Sequence, residues 1–462
     1  TLKGEHMTAP PPHHRRRHRR PAALAAVAAL LLPAATACGG VGLADTSDTF
    51  TTMGYGMGDA LATVRVEKAR KTLGTMKLEV NEGAFDEQQF LSAVAAGDPP
   101  DAVRMDRTLI GGYAARGAIM PLTECLRDQD VDLEQYRDGA VDEATLDGTV
   151  YGLPDSYDNR LLLINGKVVE EAGHRAADID TSDWQALRAL AEDLDRTRGG
   201  KLTRIGFDPK IPEFFPLWVR ANGGSLLSAD GRTAKLDDPR TVEALRFTVG
   251  LIDAQGGWGG MKALRDSFDQ FGAGNQLVRG QVGAYPMEDW YVSVLAETSP
   301  DVDLRTKPFT DRRGEPVNYV SGYSWVVPKG SPHPEEACEF ITEMTAPDTW
   351  FAAARAKAAE IRKDGSPYIG DFTGNKVADR RIHEEIWKPT GNAAFDEAAR
   401  QLYAAQDNAF SVPANAAGTE FRKAWQSAVN SVLSGDAGPR EALEQAQQRA
   451  QAALDRGNTE RE

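Results

Sequence analysis

The chain has 462 residues, 53 Lys and Arg against 68 Asp and Glu, and a formal net charge of −15. Such a surface repels nucleic-acid phosphates and anionic headgroups, so neither is expected as a partner. The length exceeds what one hydrophobic core usually serves, and two lobes are expected.

The first forty residues read as an address and not as a fold. Met7 opens a basic stretch with Arg15, Arg16, Arg17, Arg19 and Arg20, and the uncharged residues 22–37, rich in Ala, Leu and Val, lead into Ala35-Thr36-Ala37-Cys38. That is the layout of a secretory signal, and the apolar run is shorter than the roughly 20 residues a membrane span needs. Residues 1–37 are therefore read as leading residues with a signal, and the mature chain as exported. The bond before Cys38 suits an ordinary small-residue cleavage site and also a lipoprotein box. Lipidation of Cys38 is the expectation, because Gly39, Gly40, Gly42 and the polar residues after them make a flexible tether over 38–49. His174, His333 and His383 then remain, far apart in sequence, and neither a metal nor a cofactor is expected. Cys125 and Cys338 are an even pair in an oxidising compartment, which leaves open one long-range disulfide or two buried thiols.

Strand and helix patterns alternate along the chain, which predicts α/β lobes with mainly parallel sheets. Residues 59–73 have helix length with apolar Leu61, Val64 and Ala69, and 76–80 are strand-like. Asp86, followed three residues on by Gln89, marks a helix start; Phe90, Leu91 and Val94 form its apolar stripe, and Gly97 ends it. A short strand covers 101–105, and the next helix stops at Gly117. Near the end, Phe421, Trp425, Val429, Val432 and Leu433 have helical spacing, and the break at 435–439 leads to a second helix from Arg440.

Loops leaving strand C-termini gather on one edge of such a sheet, where ligands bind. Here they carry Tyr55 within 54–58, Glu82 within 81–83, and Asp106-Arg107. The glycines at 54, 56 and 58 do not make a dinucleotide fingerprint, because Asp59 stands where Gly is required, and no phosphate loop, nucleophile elbow or zinc-protease motif is present.

A series of short segments then carries a family resemblance. They are Ala96-Gly97-Asp98-Pro99-Pro100-Asp101-Ala102-Val103, Tyr151-Gly152-Leu153-Pro154, Leu163-Ile164-Asn165-Gly166-Lys167 and Asn222-Gly223-Gly224-Ser225. Further on come Gly280-Gln281-Val282-Gly283-Ala284-Tyr285-Pro286-Met287, Trp325-Val326-Val327-Pro328-Lys329-Gly330-Ser331 and Glu335-Glu336-Ala337-Cys338-Glu339-Phe340-Ile341. In order and spacing the chain, from about residue 50 to 454, resembles the family 1 extracellular solute-binding proteins, sugar-binding receptor subunits of ABC importers. The segment before Asn165 lacks the usual Tyr, and Val282-Gly283-Ala284-Tyr285 departs from the common Ala-Met.

The resemblance implies an α/β, two-lobe periplasmic-binding-protein fold of type II, with ligand captured in the cleft by hinge closure. Lobe one is expected at 50–158 and 322–370, lobe two at 159–321 and 371–454, with a polar tail at 455–462. Cys125 and Cys338 would then share lobe one, which favours their pairing. The implied partners are ABC importer permease subunits and a small carbohydrate, with contact to the membrane through the lipid anchor alone and the protein a monomer; no catalysis is implied.

A sugar presents a C–H face that packs on aromatic rings, and hydroxyls that carboxylates accept from strongly. That combination occurs at Asp155-Ser156-Tyr157-Asp158, at Glu288-Asp289-Trp290-Tyr291 and at Tyr323-Ser324-Trp325, with Trp218 and Trp258 beside glycine-containing turns. Asp289-Trp290 and Trp325 are the favoured contacts, while Trp350, Trp387 and Trp425 lie on helical patterns and suit the core. A shortage of Lys and Arg near these positions points to a neutral ligand. A secreted glycoside hydrolase using Asp155/Asp158 or Glu288/Asp289, a non-transport binding module on the same fold, and a receptor for a polyol or glycerophosphodiester are the alternatives.

Overall fold

The computed structural model describes residues 48–363 and 365–459. The leader and Cys38 lie outside them.

Local signals set the first elements. Asp59 caps the helix Ala60–Ala69 by accepting from the Ala62 N–H, and a 3₁₀ turn continues it over Arg70–Leu73. Asp86 accepts from Gln89 N–H at the start of Glu87–Ala96, and Gly97 ends that helix in the left-handed region at φ 75°, where a side chain would be strained. Five strands form a first sheet: β1 (Thr49–Met53), β2 (Lys77–Asn81), β3 (Ala102–Asp106), β4 (Leu153–Pro154) and, last in the chain, β10 (Tyr323–Val326). A second sheet holds β5 (Arg160–Asn165), β6 (Arg196–Arg198), β7 (Lys201–Phe207), β8 (Val282–Glu288) and β9 (Leu304–Lys307). Their orders are β2-β1-β3-β10-β4 and β9-β5-β8-β7-β6.

Both sheets are mixed, where the sequence pattern suggested mainly parallel ones. β1 runs parallel to β2 and β3, and β8 parallel to β7. β10 is antiparallel to β3 and β4, and β5 to β8 and β9. The physical reason is that β5 and β10 arrive from the other sheet and so escape the crossover geometry that enforces parallel neighbours. The chain passes between the sheets just before each of them, and there Asp158 and Ser321 form an antiparallel bridge.

Side-chain alternation explains the cores. On β10, Trp325 faces a cluster with Phe50, Phe340 and Met344, and Val326 faces the opposite cluster with Met53, Phe90 and Tyr113. The second sheet shares one larger core with the helices Trp184–Leu194, Pro239–Ala254 and Ala393–Ala405 and with the C-terminal pair Thr419–Leu433 and Pro439–Thr459. Helix Lys376–Arg381 and the turn after it touch both sides: Arg137 pairs with Asp379 at 3.0 Å and Ile382 and Ile386 pack on Ala354 and Ala358, while Gln406 donates to Asp379 and His383 stacks 4.1 Å from Tyr403 of helix Ala393–Ala405. Cys125 and Cys338 are bonded, joining helix Thr123–Asp128 to helix Pro334–Thr345.

Candidate functional site

Asp155, the residue after β4, organises the first-sheet side. Fully buried, it pairs with Arg65 and Arg104 and accepts from Trp325 Nε1 at 3.0 Å. Burial alone would raise its carboxyl, but the two guanidinium charges outweigh it and hold Asp155 below the ordinary carboxylate range. Arg65 is in turn sandwiched, 3.6 Å over the Trp350 ring and 5.6 Å from Tyr55. On top of this plate the Arg104 guanidinium lies 3.9 Å from the Tyr323 ring, which is 38% exposed. Tyr323 is thus a ring with a fixed plane and one wet face.

Two arginines tie the crossings together. Buried Arg107 binds Glu143 at 2.9 Å and donates to the carbonyls of Ser156 and Tyr323, one on each crossing. Burial, partly offset by Arg107, raises Glu143 to about 7. Arg160 donates to the carbonyls of Asp158 at 2.8 Å and Tyr319 at 3.0 Å, and to Glu288 and Ser321 Oγ, both at 2.8 Å. Asn318 accepts from Arg160 N–H and donates to Asn159 Oδ1.

The second-sheet side is built at the C-terminal end of β8. Glu288 accepts from Trp290 Nε1 at 3.0 Å, which fixes the indole plane. Asp289 accepts from the Asn159 and Trp290 backbone N–H groups and from Asn159 Nδ2. Burial, and after it the charge of Asp158, push Asp289 up to about 8 despite those donors. Asp158 also rises, through burial and Glu288, against the pull of Arg160. Phe271 lies nearly parallel to Trp290, centroids 5.9 Å apart. A hollow of about 360 Å³ is lined by Trp258, Lys210, Glu213, Gln270 and Gln276. A larger hollow of about 860 Å³, between residues 138–148 and 216–235, holds none of the predicted site residues.

The expected contacts therefore divide. Asp158, Glu288, Asp289, Trp290 and Tyr323 come together around the crossings. Glu82 is exposed and accepts from Met57 N–H, while Asp106 caps helix Arg107–Ala115 and pairs with Arg422 at 3.0 Å. Trp258 lines the smaller hollow with Arg265 stacked 5.2 Å from its ring. Trp325 and Trp218 need correction: both are 0% exposed, so neither offers a face to a ligand. Trp325 is the wall behind Asp155, and Trp218 sits in the second core among Phe207, Phe247 and Phe309 with its N–H on the Pro209 carbonyl. Tyr55, Tyr157, Arg107 and Asp155 are likewise buried and act behind the surface. The expected shortage of cations also fails, since Arg104 and Arg160 stand at the crossings. Each is nevertheless paired with a carboxylate: Asp155 binds both Arg65 and Arg104, and Glu288 binds Arg160. One signal could have exposed Arg160, a charged residue opening the apolar run Leu161 to Ile164, where burial demands partners.

The family model described as bacterial extracellular solute-binding protein matches residues 33–349. The chain belongs to this family. Members are solute-binding transport receptors and not enzymes. The chain is 22% identical over 296 residues to the maltodextrin-binding protein MdxE of Bacillus subtilis, a match covering 63% of this chain and 65% of that one, a little under two thirds. Among solved structures, that of CpMnBP1 with mannobiose bound superposes with a TM-score of 0.71 at 24% identity, covering 87% of this chain and 100% of that one. The sugar-binding protein MalE from Xanthomonas citri gives 0.68 at 18% identity, with 89% and 98% covered. Both share the two-lobe fold. No helix among the described residues of this solute-binding protein is long and apolar enough to cross a membrane.

Proposed function

We propose that this chain is the extracytoplasmic receptor of an ABC importer and that it captures a neutral oligosaccharide between its lobes by hinge closure, delivering it to permease subunits. The observation that carries this is the pairing of two partly exposed rings with fixed planes, Trp290 and Tyr323, across a polar floor of Asp158, Arg160, Glu288 and Asp289. A pyranose face packs on such rings, and the floor supplies both acceptors and donors for hydroxyls. An anionic solute would call for a cation free to bind it, and Arg104 and Arg160 are each already paired with a carboxylate. The ligands for which the similar proteins are named, maltodextrin and mannobiose, favour the same class.

A thermal-shift screen over glucose, maltose, maltotriose, mannose, mannobiose and mannotriose tests the assignment, with stabilisation and no turnover as the expected result. Cleavage of any of these would favour a glycoside hydrolase, and stabilisation by glycerophosphodiesters alone would reassign the ligand. Anchoring through lipidated Cys38 belongs to the same proposal: Cys38→Ser should move the protein from the membrane fraction to the medium. A wild-type protein already fully soluble outside the cell would remove the anchor.

A further inference from the structure

A third hollow, of about 680 Å³, opens where the turn at 311–317 meets the end of helix Phe215–Ala221 and the start of helix Pro239–Ala254. On a chain of net charge −15 its lining stands out, with Arg220, Arg240, Arg312 and Arg313 against Asp311 and Glu315. Asp311 is spent inside its own turn: it accepts from the Arg313 and Glu315 backbone N–H groups at 2.8 and 3.0 Å and pairs with the Arg313 guanidinium at 3.0 Å. Glu243, outside the lining, accepts from Asn222 Nδ2 at 3.0 Å. Arg220, Arg240 and Arg312 have no carboxylate partner among the described residues.

Neutral groups hold these three instead. Arg240 donates to the Gly223 carbonyl at 2.6 Å. The Arg312 guanidinium lies 4.5 Å from the Trp184 ring, which is itself stacked on Phe247 with centroids 4.2 Å apart. Arg220 lies 5.5 Å from the Phe410 ring, and that ring packs on Tyr319. A guanidinium resting on an aromatic face is oriented in advance and keeps its N–H edges for a ligand in its own plane.

We propose that this hollow binds a phosphate-bearing anion, with Arg220 and Arg312 as its principal donors and Arg240 as a third. Phosphate oxygens accept several charge-assisted hydrogen bonds, and the planar fork of arginine matches them. Three cations against one unspent acid, Glu315, suit a group with two or more negative charges better than a single carboxylate. Asp158, Arg160, Glu288, Asp289, Trp290 and Tyr323 do not line this hollow, so the site is separate from the sugar cleft and stands whether or not the oligosaccharide reading holds. A free anion and a lipid headgroup both carry this chemistry, and the test separates them.

Titration calorimetry of the whole protein with inorganic pyrophosphate at low salt is the first arm, and flotation with phosphatidylglycerol vesicles against phosphatidylcholine vesicles is the second. Arg220→Gln and Arg312→Gln, both at exposed positions that leave the fold intact, should each weaken binding about tenfold. Arg313→Gln removes the same unit of charge from the same turn as Arg312 and should stay within twofold, because that guanidinium is already bound to Asp311. Pyrophosphate binding with this pattern assigns a soluble anion; vesicle binding alone with this pattern assigns a headgroup. An equal loss in all three variants would mean that only surface charge counts, and it overturns the site, as does a wild type that binds neither probe or variants that bind as the wild type does.

Discussion

Trp290 and Trp325 looked alike as residues: each follows or lies on a strand near acidic neighbours. The structure separates them by exposure, and so should substitution. Trp290→Ala should cost about 2–4 kcal/mol of binding to the best sugar, or roughly thirtyfold to a thousandfold, with little change in melting temperature. Trp325→Ala removes a buried ring that closes over Asp155 and should instead cost about 3–5 kcal/mol of folding stability. Calorimetry and thermal denaturation of both variants would show the opposite pattern if the roles were reversed. Asp289 offers a second test at this scale. A carboxyl raised by folding stabilises the protein fully below its unfolded value near 4 and loses that contribution as pH rises through its folded value, here up to about 8. Asp289→Asn should therefore gain on the wild type by about 1–3 kcal/mol between pH 5 and pH 8.5, read from paired denaturation curves. A constant difference across that range would place the titration elsewhere.

Elements defined by nearby residues were the legible ones. The Asp86 cap, the Gly97 stop and the stripe from Phe421 to Leu433 each need only a turn or two of chain, and helices stand where these signals put them. What escaped was long-range. Arg65 and Asp155 are 90 residues apart, and nothing in either segment names the other. The burial of Trp325 follows from which face of β10 it takes, a matter of register that the short run Tyr323 to Val326 does not fix. Phe271 lies in a turn-rich stretch with no period, so its orientation had no local signal at all. The disulfide belongs to this scale too, because it staples helix Thr123–Asp128 to helix Pro334–Thr345 across 213 positions. The double variant Cys125→Ser/Cys338→Ser should lose about 2–5 kcal/mol of stability while sugar affinity stays within a factor of two, since neither helix touches the rings at the crossings. A large loss of affinity would couple the staple to the cleft.

At the scale of the molecule, two sheets are joined where the chain crosses at Asp158 and Ser321, and hinge closure is the motion this architecture permits. Small-angle scattering with saturating ligand should report a smaller radius of gyration than without it; an unchanged radius would mean capture without closure. The buried guanidinium of Arg107, which holds carbonyls on both crossings, gives that motion a particular character. One cation clamps two strands to a common axle, so they turn together and not one after the other. Under the hinge closure proposed above, the receptor would have few half-shut postures to wander through, and its permease would have a sharp distinction to read between a loaded and an empty cargo carrier.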